Sequence, residues 1–124
     1  MIWKFRGDLP IYSQLVEQIQ LGIVSGSFQP GERLMSVRDM AAEAGVNPNT
    51  MQRALQELER EGMVYSQRTS GRYVTEDIQV IGRAKKRFAE DQIRSFLEAM
   101  RKLGYQQEEI ISMLREGVGE DADS

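Results

Sequence analysis

The stretch "NPNTMQR", residues 47–53, holds the side chains of this sequence best suited to reading a surface. Asn47, Asn49, Thr50, Gln52 and Arg53 are polar or basic, and none is acidic. Asn and Gln can make paired hydrogen bonds to adenine, Arg to guanine, and Thr to a base or a phosphate. The acids Glu57, Glu59 and Glu61 come only later in the same segment. That polarity suits a helix whose start meets DNA; a polar, acid-free start also serves helix capping alone, and both readings stand. Arg38 falls in the first turn of another candidate helix, where a cation opposes the helix dipole by roughly 0.3–1 kcal/mol. A phosphate would remove that conflict, and so would a salt bridge to a nearby Asp or Glu. Arg68 and Arg72 flank a candidate hairpin tip, where a wing reaches a DNA backbone or minor groove; an ordinary solvated hairpin fits their charge equally.

Nothing nominates a catalyst. The chain has no His and no Cys, which removes the commonest catalytic base, the commonest transition-metal ligand and all thiolate chemistry. It shows no paired-carboxylate, nucleotide-loop or Ser-triad pattern. No catalytic residue, metal site or cofactor is expected.

The elements that must position these residues follow from periodicity and punctuation. Leu15, Ile19 and Ile23 recur every four residues and predict a helix from about Pro10 to Ser25. "QPGER" is a turn signal. "SVRDMAAEAG" is a second helix, with Ser36 and Asp39 as a capping-box-like pair and Gly45 as its stop. In "GVNPNT", residues 45–50, a helix stop, one apolar pivot (Val46) and an immediate helix start follow one another, because Asn47 is a good N-cap and Pro48 fits the first helical position. The third helix runs from about Pro48 to Glu61 with Met51, Ala54, Leu55 and Leu58 as its buried stripe. Two helices joined by a short turn containing Gly form a helix-turn-helix.

Residues 64–67 and 72–75 then switch to a strand pattern around the turn "RTSG", completing a winged helix. A long helix is expected from about Glu76 to Leu103, a break at Gly104, and a short helix to about Glu116. The fold class is mainly α with a small β-hairpin: a winged helix-turn-helix over residues 1–75, a helical dimerisation segment over 76–116, and a disordered acidic tail over 117–124. The apolar stripe of Phe88, Phe96, Leu97, Met100 and Leu103 could be an intramolecular core or line a ligand cavity, but a dimer seam fits it better, since two helices after a winged domain bury little by themselves. The basic run "RAKKR", 83–87, fits a solvated face better than a phosphate contact. Trp3 and Phe5 are expected to pack against the body or a partner chain.

Composition bounds the remaining choices. The 124 residues are 40% hydrophobic and 28% charged, so a folded core is expected, but a small one that a dimer would help. No run of about 18 apolar residues could span a membrane, and the lack of Cys fits a reducing cytoplasm. Net charge is −3; residues 1–75 carry eight basic and eight acidic side chains, and 76–124 carry eight and eleven. Any DNA-binding surface must therefore come from where the charges point.

The stretches "DLPIYSQLVEQI", "GSFQPGERLMSVRDMAAEAGVNPNTMQRALQELEREGMV", "GRYV" and "LGYQQEEIISMLREG" together resemble the GntR family of bacterial transcription regulators, and within it the small YtrA-type branch. The resemblance implies a homodimeric DNA-binding regulator, usually a repressor. It assigns DNA contacts to Arg38, Asn47, Asn49, Thr50, Arg53 and the wing glycine Gly71. The chain departs from the usual pattern at Met35, where Pro is common, at Pro48 and Gln52, where many relatives carry Arg, and at Thr69, which replaces the first of two wing glycines.

Two functions are therefore carried forward. One is a transcriptional regulator binding a palindromic operator in double-stranded DNA as a homodimer, with any small-molecule effector unknown. The other is a winged-helix protein–protein module without DNA binding. The acid-free start of the third helix discriminates in favour of the first.

Overall fold

A computed structural model of the chain describes residues 1–68 and 70–123, with side chains described through Gly119. Among the described residues, five helices and one hairpin follow the expected order: α1 (Ile11–Ser25), α2 (Val37–Ala44), α3 (Pro48–Arg60), β1 (Val64–Gln67), β2 (Gly71–Val74), α4 (Ile78–Lys102) and α5 (Gln107–Asp123). The chain divides into two compact units, residues 1–87 and 88–124.

In the first unit the expected stripes meet. Leu15, Ile19 and Ile23 of α1, Met40 and Ala41 of α2, and Met51, Ala54, Leu55 and Leu58 of α3 are all buried in one core, closed by Val64 and Val74 of the hairpin. The α2–α3 turn forms as its residue types require. Ser36 Oγ accepts the Asp39 N–H at 3.1 Å, and Asn47 Oδ1 accepts the Asn49 N–H at 2.8 Å. Between them Gly45 takes φ +72°, a conformation that a side chain would strain.

The hairpin pairs antiparallel, with Val64 opposite Val74 and Gln67 opposite Gly71. Its second strand starts one residue earlier than expected and gains a neighbour that the turn "QPGER" conceals. Gly31 N–H donates to Val74 O, Val74 N–H to Glu32 O, and Leu34 N–H to Arg72 O, each at 2.9 Å, and Arg33 bridges Tyr73. Residues 31–34 thus satisfy backbone groups along the outer edge of β2.

The amino-terminal segment is held by two glutamines one helical turn apart. Gln14 accepts the Arg6 N–H at 2.7 Å and donates to Arg6 O at 2.8 Å; Gln18 repeats the exchange with the Lys4 backbone. This alternation turns Trp3 and Phe5 to the same side, where they stack on each other and pack on the core, so both rest against the body. Trp3 Nε1 donates to Glu43 at 2.9 Å.

The long helix starts two residues later than expected, because Asp77 caps it by accepting the Gln79 N–H at 2.9 Å. Its first turns belong to the winged helix: Ala84 is buried in that core, and Val80 and Ile81 pack against it. The compact unit therefore extends past the expected boundary at residue 75.

In the second unit, α4 ends before Gly104, and α5 begins where Glu109 accepts the Gln106 N–H at 3.0 Å. Ile110 is buried. The acidic tail expected to be disordered from 117 is instead helical to Asp123; Ser124 lies outside the described residues. No Pro follows Gln107, and each added residue propagates the helix with one further hydrogen bond, despite the cost of Gly117 and Gly119.

Candidate nucleic-acid interface

The burial of Met51, Ala54, Leu55 and Leu58 turns the rest of α3 outward. Asn47, Asn49 and Arg53 are exposed, and Thr50 and Gln52 are partly so. These residues gather on the open face at the start of the helix. Their freedom differs. Asn47 has already used its Oδ1 as the cap, which leaves its NH2 group for a partner. Arg53 lies over the Tyr12 ring of α1, its Cζ 4.6 Å from the ring centroid.

Arg38 is exposed in the first turn of α2, and no carboxylate among the described residues pairs with it. Among the described residues, no salt bridge relieves its conflict with the helix dipole.

At the hairpin, Arg68 and Gly71 are exposed, and Gly71 has φ +109°. Thr69, and with it the effect of the missing first wing glycine, lies outside the described residues. Arg72 differs from its expected orientation. Its side chain is only 18% exposed; Nε bonds Glu59 at 2.5 Å and Nη1 reaches Gln52 Oε1 at 3.5 Å. Arg72 pairs with Ser66 across the hairpin and turns back onto α3, where Glu59 draws it in, whereas Arg68 lies past the end of β1 in the turn. Ser66 Oγ donates to the same carboxylate at 2.5 Å. Partial burial opposes ionisation of Glu59, but the bonds from Ser66 and Arg72 and the guanidinium charge outweigh it and lower its pKa. Arg72 ties the wing to α3.

One basic residue escaped the sequence reading. Arg33 is exposed beside the wing glycine, and a Cβ built on Gly71 would sit 3.6 Å from its Nε. The signal was the Arg that ends the turn "QPGER", but only the pairing of 31–34 with β2 brings it to the wing.

The expected seam residues lie in the second unit. Phe96 is 40% and Leu103 72% exposed, while Phe88, Leu97 and Met100 are partly buried. Ile93, Ile111, Met113, Leu114 and Val118 add to this exposed apolar surface. The expected seam was drawn from the long helix alone, and the next helix was expected to end at about Glu116, so the α5 residues did not enter it. Among the described residues, no helix is long and apolar enough to cross a membrane.

Comparison with known proteins agrees with this architecture. Residues 11–74 match the family described as bacterial regulatory proteins, gntR family. Over 112 residues the chain is 34% identical to the uncharacterized HTH-type transcriptional regulator YhcF of Bacillus subtilis, covering 90% of this chain and 93% of that one. It is 40% identical over 72 residues to the B. subtilis HTH-type transcriptional repressor YtrA, 58% of this chain and 55% of that protein. A GntR family transcriptional regulator from Listeria monocytogenes superimposes with a TM-score of 0.81 at 38% identity, covering 90% of this chain and 98% of that one. The DNA-binding domain of AraR, solved in complex with operator ORX1, superimposes with a TM-score of 0.55 at 26% identity, over 60% of this chain and 96% of that one. The chain belongs to the GntR family of bacterial transcriptional regulators and is similar to its YtrA-type members.

Proposed function

We propose that this regulator is a homodimeric repressor that binds a two-fold symmetric operator. α3 enters the major groove amino-terminus first. Asn49, Thr50, Gln52, Arg53 and the free amide of Asn47 read base edges. Arg33, Arg38 and Arg68 hold phosphates, with Gly71 letting the wing approach closely. Arg72 positions Gln52 and the wing and does not itself touch DNA.

The observation that carries this reading is the sorting of charge along α3. Its start is acid-free and faces outward, and Arg38 nearby lacks an acidic partner among the described residues. The repressor sense is supported by the name of YtrA, and the DNA partner by the AraR operator complex. The exposed apolar residues of the second unit support a partner subunit there, since contiguous apolar surface marks an interaction site. Such a protein works in the cytoplasm, where its operator is.

Selection of bound sites from random duplexes tests the proposal. The expected product is an enriched inverted repeat whose half-site centres lie roughly 34 Å apart, about one helical turn. Selection that returns no enriched sequence, or a single unrepeated half-site, refutes it.

A further inference from the structure

We infer that Tyr12, a residue of α1 outside the helix-turn-helix, sets base specificity by holding Arg53 in its reading position. The inference rests on the DNA-binding reading of α3.

Arg53 is exposed, and a free Arg side chain on a helix surface samples many rotamers. Here its guanidinium carbon sits 4.6 Å from the centroid of the Tyr12 ring. Tyr12 can act as a fixed platform. It lies at the second position of α1, is partly buried and packs against the core that joins α1 to α3. The ring quadrupole attracts the guanidinium without consuming its N–H donors. An acidic partner would also have held Arg53, but it would have occupied those donors and repelled phosphate. Tyr12 therefore removes rotamer freedom and leaves the edge that pairs with guanine available. Tyr12 is a positioning residue, and its effect on DNA passes through Arg53.

Two substitutions separate the ring from the hydroxyl. Tyr12→Leu removes the aromatic face and keeps apolar bulk; Tyr12→Phe keeps the face. Each is titrated with the duplex that site selection enriches most and with a panel varying each base of one half-site. Tyr12→Leu should weaken the preferred duplex by about 2- to 5-fold, the range of an exposed cation–π contact. The loss should fall on discrimination at the one base position that Arg53→Ala also relaxes. Tyr12→Phe should match the wild type. In an Arg53→Ala background, Tyr12→Leu should change nothing further. Thermal melting accompanies each titration, and Tyr12→Met, which also lacks a ring, replaces Leu if the first variant does not fold. In the free protein the Arg53 side-chain protons should shift downfield when the ring is removed.

An equal loss on every duplex, or an additional loss in the Arg53→Ala background, overturns the positioning role. So does Tyr12→Phe failing as badly as Leu, which would place the function in the hydroxyl. A wild type with no sequence preference refutes the DNA-binding reading itself, whereas a selective wild type matched by Tyr12→Leu refutes only the role of Tyr12.

Discussion

Two truncations separate the folding unit from the pairing unit. The expected boundary at residue 75 would leave Val80, Ile81 and Ala84 off the core they complete. Full burial of a large aliphatic side chain contributes about 1.5–3 kcal/mol, so half-buried Val80 and Ile81 contribute roughly 1 kcal/mol each, and the Ala84 methyl somewhat under 1. Removing all three costs about 3 kcal/mol. A unit of this size has only about 4–11 kcal/mol of stability in total. Residues 1–75 should therefore melt roughly 10–20 °C below residues 1–87. The longer fragment should be as well folded as the full chain, yet monomeric, because it ends before Phe88. Thermal melting followed by circular dichroism measures the first difference, and sedimentation equilibrium of both fragments and the full chain measures the second. If 1–75 melted within a few degrees of 1–87, the first turns of α4 would not belong to the core. If 1–87 were dimeric at the full chain's concentration, or the full chain were a monomer, the second unit would not be the seam.

Arg53→Ala should cost about 1–3 kcal/mol on the preferred duplex and relax one base position, while Arg38→Ala should weaken all duplexes alike and lower the salt slope by about one per protomer; competition titrations at several salt concentrations distinguish them. Asn47→Ala removes the cap on α3 and should lower stability by about 1 kcal/mol in urea unfolding, independent of any effect on DNA. Glu59 has a lowered folded-state pKa, so its contribution is present above its unfolded pKa and is lost as pH falls through the folded one. The wild type should accordingly melt above Glu59→Gln near neutral pH and converge with it in acid; a gap that persisted unchanged to low pH would show that the Arg72–Ser66 network does not depend on the charge.

The helical part of the candidate site was legible because its structure is local. Asn47 and Gly45 act within a turn of their own positions, and the α3 stripe repeats at helical spacing, so the outward face followed by subtraction. The wing was legible only in outline. Arg68 and Arg72 look alike as residues beside a turn, and which one faces solvent depends on Glu59, thirteen positions earlier on another element. Arg33 reaches the wing only through pairing with β2 across forty residues, and turn chemistry carries no record of that pairing. The boundary at 75 failed for a related reason. Asp77 begins a helix whose first apolar residues serve one core and whose later ones lie in another unit, and a continuous helical pattern does not mark where the change occurs.

A chain of net charge −3 can present a DNA-binding face because charge acts locally. The three acids at the far end of α3 all have partners: Glu57 an ion pair with Arg60, Glu59 one with Arg72 and a bond from Ser66, and Glu61 a bond from Gln20 at 2.6 Å. An ion pair's field falls off faster than that of a lone charge, and beyond about 8 Å at physiological salt even lone charges are largely screened. The cations at the proposed DNA-facing surface are arranged differently. Arg53 rests on an aromatic ring, which holds it without neutralising it, and Arg33, Arg38 and Arg68 are exposed with no carboxylate partner among the described residues. The surplus of acid lies in residues 76–124, in the segment after the hairpin. The same pairing that anchors Arg72 also quiets the acid nearest the wing, so one salt bridge shapes both the geometry of the site and its field.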